Sequence, residues 1–216
     1  MRTNIPSFRL PADVLDEEIY RIIDMGAELK LNSYIDKLKP VIDEYDSVFI
    51  GTGAPKGKDL NLKGREISSE NIHIGIDWLT SIAFEHVKKI GKKVVVIGGG
   101  NTAMDCCRSA LRLGATDVKV TVRSPFSQMK ASEWEIEETM EEGIPILDNT
   151  SPKEFLFDDK GKLCGVKFEK MEQVEIDGRK KMQSTGQELT IECDDVLLAI
   201  GQENAFPWIE KDIGIE

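Results

Sequence analysis

Eleven residues, Lys93-Val-Val-Val-Ile-Gly-Gly-Gly-Asn-Thr-Ala103, constrain the fold more than any other stretch of the chain. Val94 to Ile97 is an unbroken β-branched run, the pattern of a strand buried on both faces. Gly98 and Gly100 permit a tight turn with no Cβ in the way, and Asn101 onward reads as a helix. The first turn of such a helix directs free backbone N–H groups back at the glycines. Strand, glycine turn and helix N-terminus together form a cradle for a pyrophosphate. The spacing Gly98-x-Gly100-x-x-Ala103 is the dinucleotide fingerprint with alanine in the third place.

The flanking sequence extends this motif. Gly114 supplies a C-cap, and Thr116 to Val122 alternates as a second strand, completing a β-α-β unit. Where an NAD-binding unit carries Asp or Glu for the ribose 2′-hydroxyl, this chain has Arg123, which favours a 2′-phosphate and hence NADP(H) over NAD(H). The competing reading is a β-α-β unit that binds nothing, its glycines serving only close packing.

Charge sharpens the choice of ligand. The chain has 216 residues and a formal net charge of −11, which argues against a nucleic-acid partner. Yet from Lys93 to Lys130 six cations (Lys93, Arg108, Arg112, Lys119, Arg123 and Lys130) face only Asp105 and Asp117, a basic island suited to a phosphorylated ligand. No apolar run is long enough to span a membrane, and the N-terminus lacks a secretory h-region, so a cytoplasmic location is expected. Cys106, Cys107, Cys164 and Cys193 show neither C-x-x-C nor zinc spacing. One thiol of Cys106-Cys107 is expected to pack against the sheet as a structural cysteine, with a redox dithiol as the alternative. With only His73 and His86 available, a histidine metal site or a Ser-His-Asp triad has little to work with.

In chain order, Ile5 to Pro11 is extended by its prolines, and Asp13 caps a helix through Met25 with Val14, Ile19, Ile22 and Ile23 on one face. A short strand is expected at Ala27 to Leu31, a helix from Ile35 to Glu44, and a buried strand from Val48 to Ile50 that ends in Gly51-Thr-Gly53. Gly57 to Glu66 reads as loop. A helix from Asp77 to Lys89, with His86 on it, leads to the fingerprint. After it come a loop at Ser124 to Ser132, an acidic helix from Trp134 to Glu142 with solvent-facing carboxylates, and a strand at Ile144 to Leu147. Phe155 to Cys193 has the pattern of a β-meander of short strands, with turns at Asp159 to Gly161 and Asp177-Gly178. An apolar strand from Asp194 ends in Ala199-Ile-Gly201.

This order resembles the two-dinucleotide-binding-domain flavoproteins, and more narrowly the NADPH-binding half of the glutamate synthase small (beta) subunit and its relatives. The stretches that carry the likeness are Ile5-Pro-Ser-Phe-Arg-Leu-Pro11, Phe49-Ile-Gly-Thr-Gly-Ala-Pro55, Val96-Ile-Gly-Gly-Gly-Asn-Thr-Ala-Met-Asp105 and Val196-Leu-Leu-Ala-Ile-Gly201. The resemblance implies an α/β fold: a Rossmann-like three-layer nucleotide-binding domain (β-sheet, helices, β-meander) with an incomplete FAD-domain segment attached. It divides the chain into a partial FAD segment at 1–60, a linker with a connecting helix at 61–92, the NAD(P)H domain at 93–203, and a return to the FAD domain at 204–216.

The same resemblance implies that Gly98, Gly99, Gly100, Asn101, Thr102 and Ala103 hold the pyrophosphate side of NADPH. Arg123 would meet the 2′-phosphate, and Ala199, Ile200 and Gly201 would line the nicotinamide end. Many relatives carry a second arginine where this chain has Ser124, with Lys130 as a substitute cation. Electrons would run from NADPH to FAD and on, through iron–sulfur centres, to a larger partner subunit. The N-terminal FAD fingerprint, the C-terminal Gly-Asp segment and the iron–sulfur cysteines of those relatives are not among these 216 residues, so the chain reads as roughly the middle half of a larger enzyme. FAD would belong to the complete protein. Two other functions compete: a fragment that binds nucleotide without activity of its own, and a flavin-free NADP-dependent dehydrogenase. The last lacks a Tyr-x-x-x-Lys pair, since Tyr20, Tyr34 and Tyr45 all precede the nucleotide unit.

Overall fold

The computed structural model describes residues 1–67, 70–176, 179–211 and 213–214. Its elements are α1 (Ala12–Asp24), α2 (Lys39–Glu44), β1 (Lys56–Gly57), β2 (Ile72–Ile74), α3 (Gly75–Ala83), β3 (Lys93–Ile97), α4 (Asn101–Arg112), β4 (Asp117–Thr121), α5 (Glu133–Glu141), β5 (Ile146–Leu147), β6 (Thr150–Phe157), β7 (Leu163–Ile176), β8 (Arg179–Glu192), β9 (Asp195–Leu198) and β10 (Gln202–Glu203).

Five strands form a parallel sheet in the order β2-β9-β3-β4-β5. Because side chains alternate across a strand, Val94 and Val96 of β3 face one way and Val95 and Ile97 the other. The first pair packs with Ala103, Met104, Cys106, Cys107 and Ala110 of α4 and with Trp78 and Leu79 of α3. The second packs with Phe155, Val166, Phe168 and Ile191 of an antiparallel three-stranded sheet, β6-β7-β8. Helices, parallel sheet and meander are therefore the three expected layers, with a core on each face of the central one. β3 is buried on both sides, as its unbroken apolar run predicts.

Local signals set the ends of α4. It closes in a Schellman motif: Gly114 adopts φ +96°, its N–H donates to the Leu111 carbonyl, and the Ala115 N–H donates to the Ala110 carbonyl. Close helix–sheet packing depends on Gly75, where a Cβ would lie 2.9 Å from the Cys106 Sγ and 3.1 Å from the Leu198 oxygen. Both Cys106 and Cys107 are buried, not one alone. Burial raises the Cys106 thiol well above its usual range and pushes Cys107 up to about 12, so both are held as neutral packing groups.

Several expectations fail for identifiable reasons. α2 begins at Lys39, not Ile35, because Pro40 fits only the first turn of a helix. α3 stops at Ala83, since Glu85 takes φ +58°. His86 thus lies beyond the helix, stacked on Phe84 at 6.0 Å. No strand forms at Ala27 to Leu31 or at Val48 to Ile50. Neither stretch has a neighbouring strand among the described residues, and Phe49 is 95% exposed. On α1, Leu15 is the buried residue, whereas Val14, Ile19 and Ile22 are exposed. The meander starts at Thr150, and β7 and β8 are 14 residues each, much longer than expected. Its first turn forms as predicted: the Asp158 carboxylate accepts from the Lys160 and Lys162 N–H groups, and Gly161 takes φ +75°. The second, at Asp177-Gly178, lies outside the described residues.

Candidate functional site

The carboxyl ends of β3, β4 and β9 lie side by side where the strand order switches: β4 follows β3 on one side, while β9, reached only after the meander, lies on the other. The fingerprint turn sits in that crevice. The Ala199 N–H donates to the Ile97 carbonyl and the Gly98 N–H to Thr121, so the turn is tied to both flanking strands. Its three glycines serve different ends. Gly98 has φ +147°, and a Cβ there would lie 2.2 Å from the Ala199 carbonyl oxygen. A Cβ on Gly99 would lie 2.8 Å from Val122 Cγ1. Both are required by the chain's own packing.

Gly100 is different. It has φ −107° and ψ 176°, extended backbone open to any residue, and a Cβ there would meet nothing within 4 Å. Neither strain nor packing explains this glycine. It lies at the N-cap of α4, where the Gly100, Asn101 and Thr102 N–H groups have no partner among the described residues, the Ala103 N–H already donates to the Gly100 carbonyl, and the helix dipole is positive. The open space above Gly100 is thus where an anionic group could approach the backbone closely, and the cradle fits a pyrophosphate.

The neighbouring predicted residues surround this point. Ala103 is fully buried in the helix–sheet core. Thr102 lines a small crevice with Gly57, Ile76, Leu198, Ala199, Gly201 and Gln202, which brings the α4 N-terminus against the 199–201 segment. Gly201 takes φ +117°, and its carbonyl accepts from the Lys58 N–H beside the antiparallel β1–β10 pair. Ile200, between two residues that line the crevice, packs partly on the meander-side core. Asn101 holds the next loop: its Oδ1 accepts from the Ser132 N–H at 2.8 Å, and its Nδ2 donates to the Ser132 Oγ at 3.2 Å. The Lys130 and Ala131 N–H groups both donate to the Gly99 carbonyl at 3.0 Å. Residues 123–132 are thereby folded over the glycine turn, with Arg123 and Ser124 entering it directly from the end of β4.

The basic island resolves into two classes. Lys93 pairs with Glu192, Arg108 with Glu135, Glu138 and Glu142, Arg112 with Glu142, and Lys119 with Asp117. Arg123 and Lys130 are exposed and form no hydrogen bond or ion pair through their side chains with any described residue. These two uncommitted cations flank the open turn.

Sequence reasoning missed two features. Ile72–Ile74 is an edge strand held by β9, too short for a two-residue period to register. The carboxylates of α5 are not all solvent-facing. Glu135 is 3% exposed, is ion-paired with Arg9 Nε at 2.5 Å, and accepts from Arg108 Nη1 at 3.1 Å. Burial with two arginines overturns that expectation. Among the described residues no group of three or more His, Cys, Asp and Glu could hold a metal, and no helix is long and apolar enough to cross a membrane.

Known proteins share this arrangement. Among curated sequences the chain is 34% identical over 219 residues to the NADPH-Fe(3+) oxidoreductase subunit beta of Geobacter sulfurreducens, covering 98% of this chain and 33% of that one. It is 31% identical to the glutamate synthase [NADPH] small chain of Halomonas elongata, covering 98% of this chain and 48% of that one. The chain thus spans a third to a half of the length of these relatives. In fold it is similar to Mycobacterium tuberculosis FprA in complex with NADPH, with TM-score 0.74 at 17% identity, covering 93% of this chain and 60% of FprA. Thioredoxin reductase from T. acidophilum shares the fold at TM-score 0.56 and 23% identity, over 74% of this chain and 46% of that one. The pyridine nucleotide-disulphide oxidoreductase family matches residues 14–216. A parallel sheet with a glycine turn at its switch point and a match that takes in nearly the whole chain agree, and the chain belongs to that family.

Proposed function

We propose that this chain is the NADPH-binding module of a flavoprotein oxidoreductase resembling the glutamate synthase small subunit, within which hydride passes from NADPH to FAD and electrons continue to a larger partner subunit. The observation that carries the reading is Gly100, a glycine that neither backbone strain nor packing requires, at the N-cap of a helix beside two unpaired cations. The names of the relatives support the choice of nucleotide, since NADPH stands in those of the Geobacter oxidoreductase, the glutamate synthase small chain and the FprA complex.

When bound, NADPH supplies the hydride and the flavin accepts it. The protein's residues bind and orient. The N–H groups at the start of α4 receive the pyrophosphate across Gly98 to Ala103, with Gly100 allowing the close approach. Arg123 meets the 2′-phosphate as a planar fork, Lys130 adds a second positive charge, and Ser124 adds a hydrogen bond without charge. Ala199 to Gly201 line the nicotinamide end with little side-chain bulk. The division at residues 60, 92 and 203, the partner subunit and a cytoplasmic location belong to this proposal.

The test is calorimetric titration of the purified chain with NADPH and, separately, NADH. Micromolar NADPH binding with much weaker NADH binding supports the reading, and binding of neither overturns it. A second reading, nucleotide binding without turnover by this chain alone, is favoured by the absence of a strand at Val48 to Ile50 and by the exposed Phe49. A colourless protein that binds NADPH but reduces no dye supports it; a yellow protein that reduces dye excludes it.

A further inference from the structure

The segment Ile5 to Pro11 has no part in the site just described, yet it is bound to it. Arg9 Nη1 donates to both carboxylate oxygens of Asp105, at 2.7 and 2.8 Å, across 96 positions of sequence. Arg9 Nε is ion-paired with Glu135 at 2.5 Å. Asp105 lies on α4, four residues after Asn101 and so on the same helix face one turn down. Glu135 lies on α5, three residues after Ser132 and one turn in. The Asn101–Ser132 pair at the mouth and the Asp105–Arg9–Glu135 bridge beneath it are therefore two successive ties between the same helices.

We propose that Arg9 is a positioning residue for the nucleotide site, clamping α4 to α5 and so fixing the 123–132 loop, with Arg123, Ser124 and Lys130, over the N-terminus of α4. The inference rests on the proposed NADPH reading for its ligand, while the clamp itself rests on the ion pairs alone. Asp105 and Glu135 are 4% and 3% exposed and carry like charge on facing helices. Without a cation between them, burial and mutual repulsion force the helices apart or force a proton onto one carboxylate. Arg108, from α4, also reaches Glu135 but is shared with Glu138 and Glu142, at 3.1, 2.6 and 2.9 Å respectively. Among the described residues it makes no hydrogen bond or ion pair with Asp105. Phe8 holds the segment in place: its ring lies 3.9 Å from the Arg112 guanidinium and 5.0 Å from that of Arg108.

The clamp acts on one part of the site more than the other. The glycine turn is tied to β4 and β9 independently of α5, whereas the far end of the 123–132 loop is the N-terminus of α5 itself. Loss of Arg9 should loosen the loop that meets the 2′-phosphate and leave the pyrophosphate cradle in place. Affinity for NADPH then falls while affinity for NADH barely changes.

The experiment compares wild type, Arg9→Lys, Arg9→Met, Asp105→Asn and Arg9→Met with Asp105→Asn, each titrated with NADPH and NADH. Amide exchange is followed over residues 123–132 without ligand. In Arg9→Met the NADPH Kd should rise about tenfold, the size of an ordinary coupling within one charged network, and the NADH Kd less than about twofold. Exchange in 123–132 should quicken. Arg9→Lys should recover part of the loss, and adding Asp105→Asn to Arg9→Met should recover more, because the buried like charge is gone. Asp105 faces Arg9, Glu135 and Arg108, and burial, the largest influence, already raises its carboxyl above the usual range. Removing Arg9 raises it further, so the stability deficit of Arg9→Met should shrink as pH falls. Equal weakening of NADPH and NADH, or no rescue by Asp105→Asn, would reduce Arg9 to a structural contact and overturn the proposal. If Arg9→Met does not fold, the Arg9→Lys and Asp105→Asn titrations decide it. If wild type binds neither nucleotide, the NADPH reading fails, but quickened exchange in 123–132 still upholds the clamp and unchanged exchange sinks it.

Discussion

Substitution of Gly100 by alanine separates a glycine kept for a ligand from one kept for the fold. The residue already has φ −107° and ψ 176°, and a methyl group there meets nothing within 4 Å. Two small effects on stability oppose each other. Alanine narrows the unfolded ensemble, which stabilises by about 0.4–1 kcal/mol. It is also a poorer N-cap than glycine, which costs about 0.5–1 kcal/mol. The net change is close to zero, and for a chain of this size Tm should move by less than about 2 °C. Binding should respond quite differently. A Cβ in the cradle lifts the pyrophosphate from the α4 N–H groups, and each charge-assisted hydrogen bond lost costs about 1.5–3 kcal/mol, or roughly 10–150-fold in Kd. Gly98→Ala is the internal contrast. It combines φ +147° with a Cβ placed 2.2 Å from the Ala199 oxygen, and should destabilise by at least about 3 kcal/mol. Thermal denaturation read beside NADPH calorimetry measures both. A fall in Tm of more than about 5 °C for Gly100→Ala would mean the glycine is structural after all. An unchanged NADPH Kd would mean the open space is not the ligand's.

Arg123→Ala should weaken NADPH by about tenfold or more, since a charged contact to phosphate is lost, and leave NADH within about twofold; equal effects in the two titrations refute its assignment to the 2′-phosphate. In the native protein a small thiol reagent should label the exposed Cys164 and spare Cys106, Cys107 and Cys193, which are buried and whose thiols burial raises, Cys107 and Cys193 to about 12. Mass spectrometry of a partly labelled sample checks this. Glu142 is held below its ordinary 4.5 chiefly by hydrogen bonds from Arg112, so the stability it contributes is present above 4.5 and lost as pH falls through its folded value. The Tm difference between wild type and Glu142→Gln should accordingly be largest near neutrality and close in acid; a constant difference across the scan would count against the ion pair.

The sequence could be read wherever structure is decided by near neighbours. β3, its glycine turn, α4 and the Schellman cap at Gly114 each follow from residues a few positions apart, so pattern and structure agree there. Agreement fails where a partner decides. Val48 to Ile50 has the β-branched composition of a strand, but composition does not supply the adjacent strand whose backbone groups would complete it, and Phe49 is left in the open. The reverse holds for Ile72–Ile74, three residues with little pattern of their own that become a strand because β9 lies beside them. Glu135 shows the same limit within the site. In sequence it is one of six glutamates between Ala131 and Glu142, and nothing local distinguishes it from those in water. Its burial depends on Arg9, more than a hundred positions earlier.

Charge is where these limits matter most for function. Counted along the chain, the stretch from Lys93 to Lys130 offers six cations to a phosphorylated ligand. In the fold, Lys93, Arg108, Arg112 and Lys119 are committed to carboxylates. The field that a 2′-phosphate would meet therefore comes from Arg123 and Lys130, reinforced at the pyrophosphate by the α4 N-terminus. On the proposed reading, discrimination between the two nicotinamide nucleotides would accordingly rest on very few groups, with Ser124 contributing no charge. A small set of charged contacts discriminates only if it is held still, because two exposed side chains on a mobile loop gain little from a phosphate that they must be ordered to reach. That is the physical reason for expecting much of the ion-pair network on α4 and α5 to serve the loop it anchors rather than stability alone.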